Sequence, residues 1–237
     1  MKRIFSILTV FLTLSLPSRT VADGIQTWGG FGRQDNVFSC ADTEEKILAL
    51  TFDDGPHPKY TDEILDILVK YNVKATFFVI GKNAERYPKI IKRISDGGHE
   101  IGNHTYSHVT AEKVSSEKFK EELYKTHSAL RRITGKAPVL FRPPTGHCNA
   151  VTVKCATEMD YKLIVWTVDT RDWSHESTQS IVNTVKKRAR SGSIVLFHDY
   201  ISSPSPTPEA LRILIPYLLN EGYRFVTVSE LLSYDGG

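Results

Sequence analysis

The chain has 237 residues, of which 41% are hydrophobic and 24% are charged, and its formal net charge is +3. This length suffices for one domain with a sizeable hydrophobic core. A charge this small gives no electrostatic reason to expect nucleic acid or an anionic membrane as a partner, so we predict neither.

The first residues have the pattern of a secretory signal peptide. Lys2 and Arg3 are basic, residues 4–16 are mostly apolar, and Thr20-Val21-Ala22 offers small residues for cleavage. The apolar stretch contains four hydroxyl side chains, and it is too short and too polar to span about 30 Å of hydrocarbon. We therefore expect residues 1–22 to be removed and the protein to be secreted or periplasmic, with no stable membrane span. Because the segment carries three basic residues and no acidic one, the mature chain is formally neutral.

The three cysteines are Cys40, Cys148 and Cys155. An exported protein permits disulfides, but an odd number leaves at least one thiol free unless it pairs with another chain. A helix between Cys148 and Cys155 would hold their Cα atoms too far apart for a bridge. The pairing stays open, and the absence of a Cys-x-x-Cys spacing argues against a thiolate metal site.

After a lead segment of residues 23–45, apolar runs alternate with helical patterns through residues 46–232, and a tail of residues 233–237 follows. The predicted strands are residues 46–53, 75–80, 99–103, 138–142, 162–169, 193–198 and 223–228. The predicted helices are residues 61–71, 82–95, 116–134, 177–190 and 208–220, the last with a predicted kink at Pro216. This alternation predicts a single α/β domain with a mostly parallel sheet.

Polar residues end five of the predicted strands. Asp53-Asp54 ends the first strand before a Gly-Pro turn, and His104, Arg142, Asp169 and His198 end four others. The open alternatives are a doubly wound sheet and a closed barrel. Five strand ends that converge on one site fit a barrel mouth better, because an open sheet uses only the strands near its switch point.

Asp54, His104 and His108 are the predicted ligands of a divalent metal. The two histidines are four residues apart and would lie on one face if that turn were helical. A catalytic zinc takes three protein ligands and leaves one position for water, and Asp53 beside it could then accept a proton. The alternative is that the two aspartates are simply turn residues before Gly-Pro.

Four further residues are candidates for the same mouth, and three of them have a structural alternative. His198 could be the general acid, with Asp169 or Asp172 orienting it, or a structural histidine after an apolar strand. Arg142 could pair with Asp53 and favour its ionised form, or be a surface ion-pair partner. We expect Trp173, as a sugar platform rather than a core residue, and Pro143 to contact substrate.

Five segments in chain order resemble the motifs of the polysaccharide deacetylases, the carbohydrate esterases with a NodB-type domain. They are Thr51 to Pro56 (Thr-Phe-Asp-Asp-Gly-Pro), His104 to His108 (His-Thr-x-x-His), Arg142 to Gly146 (Arg-x-Pro-x-Gly), Asp172-Trp173, and Leu196 to His198 (Leu-x-His). The resemblance runs from about residue 46 to residue 232. It implies a distorted (β/α)7 barrel and metal-dependent removal of acetyl groups from a glycan.

The resemblance also implies a role for each matching residue. Asp53 would be the catalytic base, oriented by Arg142, and His198 the acid, tuned by Asp172. Asp54, His104 and His108 would bind Zn²⁺, or another divalent cation such as Co²⁺, Ni²⁺ or Mn²⁺. Thr145 stands where the family often has tyrosine, so its backbone N–H remains available to the oxyanion while any contact from a tyrosine ring is lost.

The expected enzyme is a monomer whose substrate is a polysaccharide or oligosaccharide. Chitin oligomers, peptidoglycan and other N-acetylglucosamine polymers are compatible substrates, with removal of an N-acetyl group favoured. The alternatives are an O-acetyl xylan esterase and a catalytically inactive glycan-binding module of the same fold. Such a module should have lost the base or the acid, and both Asp53 and His198 are present.

Overall fold

The structure, a computed structural model, describes residues 33–201 and 204–235. The predicted signal peptide of residues 1–22 lies outside the described residues, as does most of the lead segment. None of the helices within the described ranges has the length and apolar character that crossing a bilayer requires.

Within the described residues, nine parallel strands form one sheet. They are β1 (Val37–Phe38), β2 (Ile47–Asp53), β3 (Thr76–Val79), β4 (Glu100–Asn103), β5 (Leu140–Phe141), β6 (Lys162–Ile164), β7 (Val168–Asp169), β8 (Ile194–His198) and β9 (Arg224–Phe225). Their order is β1-β6-β5-β4-β3-β2-β8-β7, and β9 pairs separately with the beginning of β2. Every predicted strand is present, although the predicted strand over residues 162–169 divides into β6 and β7.

The sheet curls so that its two ends approach each other, which confirms the predicted distorted (β/α)7 barrel. Strands β6 and β7 lie near opposite ends of the strand order, yet only residues 165–167 separate them in the chain. Val165 donates its backbone N–H to Phe38, and Thr167 donates to Ile194. This short connection therefore closes the gap between the two ends of the sheet.

Eight helices pack against the sheet within the described residues. They are α1 (Tyr60–Lys70), α2 (Gly81–Arg86), α3 (Pro88–Asp96), α4 (Ser116–Thr134), α5 (Ala150–Glu158), α6 (Thr178–Arg188), α7 (Thr207–Asn220) and α8 (Val228–Ser233). The ends of α4 follow from local chemistry: the Ser115 hydroxyl accepts the Lys118 N–H at one end, and Gly135 has a φ of 76° at the other.

The structure corrects the helix prediction at three places, one of which is the short helix α8 (Val228–Ser233), which the sequence pattern does not predict. The predicted helix over residues 82–95 is two helices, because Pro88 lacks an N–H and disfavours helical geometry at Tyr87, whose φ and ψ are −126° and 55°. Helix α5 was not predicted, since its short, β-branched sequence has little amphipathic pattern. Its start is fixed by the Asn149 side chain, which accepts the Thr152 N–H.

The alternation of side chains along β2 aims Asp53 at the site. Leu48, Leu50 and Phe52 pack in a cluster with the apolar faces of α1 and α7. Ile47 and Ala49 belong to a second cluster on the opposite face. Thr51 and Asp53 continue that opposite face, where both contact the Arg142 side chain. All seven residues of β2 are buried, so its register is strongly specified.

All three cysteines lie in the described part of the chain, and none of them forms a disulfide. Cys40, Cys148 and Cys155 are all free thiols. Helix α5 occupies residues between Cys148 and Cys155, as the spacing argument required. Burial raises the pKa of the Cys148 thiol to about 12.

Candidate active site

The predicted functional side chains meet at the carboxyl ends of the strands. Asp53 ends β2 and is the parallel partner of His198, which ends β8. His104 follows β4, Arg142 follows β5, and the Arg142 N–H donates to the carbonyl of Asn103 at the end of β4. Asp169 ends β7. Four of the five predicted strand-end residues, Asp53, His104, Arg142 and His198, therefore meet at one barrel mouth, and Asp169 bonds to the Arg171 N–H instead.

Asp54, His104 and His108 form a cluster with the donors of a metal site. Asp54 Oδ1 lies 3.4 Å from His104 Nε2 and 3.2 Å from His108 Nε2. One ligand atom from each residue lies within 4.8 Å of the other two. One carboxylate and two imidazoles suit a catalytic zinc or a similar divalent ion.

Three observations test whether these residues fit a cation. Asp54 Oδ1 is buried and has no hydrogen-bond partner, which is costly unless a positive group is bound there. His104 Nδ1 donates to the Arg142 carbonyl oxygen at 2.8 Å, which directs its Nε2 toward Asp54. Burial would raise the pKa of Asp54, but contact with His104 and the charges of His104 and His108 lower it. The residues fit the predicted metal.

The sequence predicts that His104 and His108 share a face if their segment is helical, but the segment is not helical. Residues 104–110 form no regular element, and Thr105 and His108 have φ values of 62° and 60°. These left-handed residues fold the loop back on itself and bring the two imidazole centroids to 5.1 Å. A strained loop, not a helical face, creates this pair.

Asp53 forms a buried ion pair with Arg142. Arg142 Nη1 lies 2.7 Å from Asp53 Oδ1 and 2.8 Å from Thr51 Oγ1. Its other donors reach the carbonyl oxygens of Ile164 and Val165. The guanidinium also lies over the Phe78 ring, 4.1 Å from its centroid. Burial lowers the pKa of Arg142, and the charge of Asp53 opposes that effect.

His198 is oriented by Asp172. His198 Nδ1 and its backbone N–H each lie 2.8 Å from a carboxylate oxygen of Asp172, and Thr207 Oγ1 donates to the same group at 2.6 Å. Burial would lower the pKa of His198, but the hydrogen bond and charge of Asp172 outweigh it and raise the pKa to about 9. Asp169 instead accepts the Arg171 N–H at 2.8 Å. The structure thus selects Asp172 from the two predicted partners.

The remaining predicted residues lie on loops at the mouth. Thr145 is exposed at the apex of a turn, with a φ of 62°, and the Gly146 N–H donates to Pro143 across it. Pro143 itself is buried. Trp173 is 50% exposed, so it is not a core residue, and Arg171 lies against its ring. Roles in oxyanion and sugar binding remain predictions for these three residues.

Sequence reasoning missed several residues that support the site. Thr207 and Asn103 are fully buried, and Asn103 Oδ1 accepts the Thr105 N–H at 2.9 Å. Asp199 is also buried; Thr61 donates to its Oδ2 at 2.6 Å, and its Oδ1 has no partner. Polar residues at the ends of buried strands were a usable signal for Asn103 and Asp199. Thr207 begins a helix between two prolines and gave no comparable signal.

Comparison with known proteins identifies the family. Residues 41–164 match the family model described as polysaccharide deacetylase. The chain is 46% identical over 192 residues to a peptidoglycan-N-acetylglucosamine deacetylase of Bacillus cereus, which covers 80% of this chain and 90% of the relative.

Solved structures agree with this assignment. A peptidoglycan N-acetylglucosamine deacetylase in complex with 4-naphthalen-1-yl-N-oxidanyl-benzamide matches with a TM-score of 0.83 and 39% identity, covering 87% of this chain and 97% of that one. A family 4 acetyl xylan esterase from Clostridium thermocellum, in complex with a cobalt ion, matches with a TM-score of 0.73 and 37% identity, covering 79% and 91%. The chain therefore belongs to the polysaccharide deacetylase family, the metal-dependent hydrolases that remove acetyl groups from glycans.

Proposed function

We propose that this enzyme is a zinc-dependent deacetylase that removes N-acetyl groups from the N-acetylglucosamine residues of peptidoglycan. The observation that carries the proposal is the orphaned, buried Oδ1 of Asp54 between two imidazole nitrogens, beside the Asp53–Arg142 pair. The Bacillus cereus relative, named for this substrate, covers most of both chains and supports the choice of glycan.

Asp54, His104 and His108 would hold the metal. When bound, zinc polarises an acetyl carbonyl and lowers the pKa of a water toward about 7. Co²⁺, Ni²⁺ or Mn²⁺ could serve in its place, and the cobalt ion in the acetyl xylan esterase structure supports cobalt as an alternative.

Asp53 is the proposed general base. Its Oδ1 is held by Arg142, while its Oδ2 faces His104 Nε2 at 3.8 Å, on the side of the metal ligands. Because Arg142 holds the other oxygen and cannot itself accept a proton, Oδ2 is the atom that takes the proton from the attacking water. Arg142 acts as the residue that orients this base.

His198 is the proposed general acid, and Asp172 is its partner. Since Asp172 accepts at Nδ1, the ring presents Nε2 as its free proton-bearing atom. The raised pKa of about 9 keeps the ring protonated at neutral pH, so it can donate to the departing amine. The Thr145 backbone N–H would help to stabilise the oxyanion, and Trp173 and Pro143 would contact the sugar.

The proposal extends to the location and organisation of the protein. Residues 1–22 would be a signal peptide, residues 46–232 the deacetylase domain, and the mature enzyme a secreted or periplasmic monomer. A peptidoglycan substrate agrees with export, because that polymer lies outside the cytoplasmic membrane.

Acetate release from a substrate panel tests the proposal. The purified enzyme is given peptidoglycan, N-acetylglucosamine oligomers and acetylated xylan, after chelation and after restoration with Zn²⁺ or Co²⁺. We expect acetate from the N-acetylated glycans only with metal, and a loss of at least about 10²-fold in Asp53→Asn. Glu121→Gln, on the exposed face of α4, is the matched control and should keep the wild-type rate.

The panel also separates the two alternative functions. The acetyl xylan esterase among the structural relatives favours testing O-acetylated xylan as a second substrate. Acetate from xylan alone would replace the N-deacetylase proposal with an esterase. Binding to glycans without acetate release from any of them would indicate an inactive binding module, and full turnover by the chelated enzyme would remove the metal from the mechanism.

A further inference from the structure

The loop of residues 104–108 carries two proposed metal ligands in an unfavourable backbone conformation. Thr105 and His108 have left-handed φ values, and neither is a glycine. Residues held in this region are energetically unfavourable and persist only where their surroundings fix them. The loop therefore depends on contacts from neighbouring elements to keep His108 near Asp54.

The first half of the loop is held by the backbone of the barrel and of α2. The His104 N–H donates to Val79, and the Thr105 N–H donates to Asn103 Oδ1. The first N–H groups of α2, at Gly81 and Lys82, donate to the carbonyl oxygens of Thr105 and Tyr106, each at 3.0 Å. The last of these contacts is at Tyr106, two residues before His108.

In the second half of the loop, Ser107 is hydrogen-bonded to the side chain of Glu122. One of its carboxylate oxygens, Oε2, accepts both the Ser107 N–H at 2.7 Å and the Ser107 hydroxyl at 2.8 Å. Ser107 directly precedes His108, and its own side chain is exposed. Glu122 is thus the group that joins the last part of the loop to the rigid helix α4.

The position of Glu122 on its helix is unusual for a charged residue. It lies on the buried face of α4, where its neighbours are Phe119, Leu123 and Thr126, and it is only 5% exposed. A buried carboxylate on such a face is costly unless its hydrogen bonds repay the loss of water. The two bonds to Ser107 supply that compensation, and they connect Glu122 to the metal site rather than to the core.

We propose that Glu122 is a positioning residue that sets the affinity of the metal site by fixing the backbone before His108. The inference rests on the proposed metal site. Metal–nitrogen bonds to zinc are about 2.0–2.1 Å long, so a shift of His108 by a fraction of an ångström weakens binding. Loss of a partner that orients a ligand typically costs 10–100-fold in metal affinity.

Metal affinity, measured by competition with a chelating indicator, tests the inference. Zn²⁺ and Co²⁺ are titrated into the metal-free full chain of wild type, Glu122→Ala, Glu122→Gln and Ser107→Ala. We expect Glu122→Ala to bind metal about tenfold or more weakly. Glu122→Gln keeps an oxygen that can accept both bonds and should rescue most of the affinity. Glu121→Ala, the exposed neighbour on the same helix, is the control and should bind as wild type does.

A double-mutant cycle separates positioning from general damage to the fold. In the His108→Ala background, Glu122→Ala should cause no further loss of affinity, because the ligand that it positions is already gone. A loss equal to that seen with His108 present would overturn the inference, and so would wild-type affinity in a folded Glu122→Ala. If Glu122→Ala does not fold, Ser107→Ala carries the test: about two- to fivefold weaker binding supports the inference, and unchanged affinity overturns it. A wild-type chain that binds no metal would instead overturn the proposed site itself.

Discussion

The pair formed by Asp172 and His198 yields a prediction with a defined pH dependence. Replacing Asp172 with asparagine removes the charge that raises the pKa of His198 to about 9, while burial continues to lower it. Asp53 and Asp54 still raise this pKa in the variant, so it should fall toward the ordinary value of 6.5. Because the protonated ring is the active acid, activity is lost as the pH rises through this pKa, so the alkaline limb of the profile moves to lower pH.

The size of the effect follows from the two pKa values. At pH 8 a ring with a pKa of about 9 is about 90% protonated, and one with a pKa of 6.5 is about 3% protonated, a difference of about 30-fold. At pH 6 the same comparison gives a loss of less than about twofold. Asp172→Asn should therefore be nearly active at pH 6 and strongly impaired at pH 8.

The assay is the pH profile of kcat/KM for acetate release by the metal-loaded enzyme. Asp169→Asn is the matched comparison, since Asp169 contacts the Arg171 N–H and should leave the alkaline limb where it is. Thermal unfolding checks that Asp172→Asn is folded, because Asp172 also accepts from Thr207. An equal loss at pH 6 and pH 8, or an unmoved alkaline limb, would refute the assignment of His198 as an acid tuned by Asp172.

Three further predictions concern stability, the base and export. Burial raises the pKa of Asp199 to about 7, so its ionisation opposes folding. The free energy of unfolding of Asp199→Asn should therefore rise by about 4 kcal/mol relative to that of wild type between pH 4 and pH 8. Urea unfolding measures this difference, and a difference that does not change with pH would contradict the prediction. A lysine at position 142 cannot contact Asp53 and the carbonyl oxygens of Ile164 and Val165 together. In Arg142→Lys, kcat should therefore fall more than tenfold with little change in metal affinity. Equal losses in kcat and metal affinity would argue against an orienting role. Amino-terminal sequencing of exported protein should begin at Asp23, and retention of residue 1 would exclude cleavage.

Much of the fold was predictable because the strands are buried on both faces. Continuous apolar runs such as residues 47–52 stand out in the sequence, and Gly or Pro marks their ends. Closure of the barrel was inferred from the number of functional strand ends rather than from any strand itself. The division of residues 162–169 into two strands was not predicted, because an apolar run does not reveal where a chain leaves one edge of a sheet for another.

The site was predictable to the extent that its residues directly follow strands. Asp53, Asp54, His104, Arg142 and His198 each occupy such a position, and the parallel sheet brings them together. The spacing of the two histidines suggested a helical turn, and the structure has a left-handed loop instead, since its conformation depends on contacts from α2 and α4. Those contacts join residues far apart in sequence, and single-sequence patterns carry no record of them.

Arg142 has a consequence for how inactive forms of this enzyme should be interpreted. Its guanidinium is fully enclosed, and Asp53 is the acidic side chain that neutralises it. A substitution that removes the Asp53 carboxylate therefore leaves the Arg142 guanidinium buried and unpaired, which lowers the stability of the fold by about 3–5 kcal/mol. Loss of the base at Asp53 therefore also lowers the stability of the fold. A homologue that has lost catalytic activity is expected to have replaced the arginine as well.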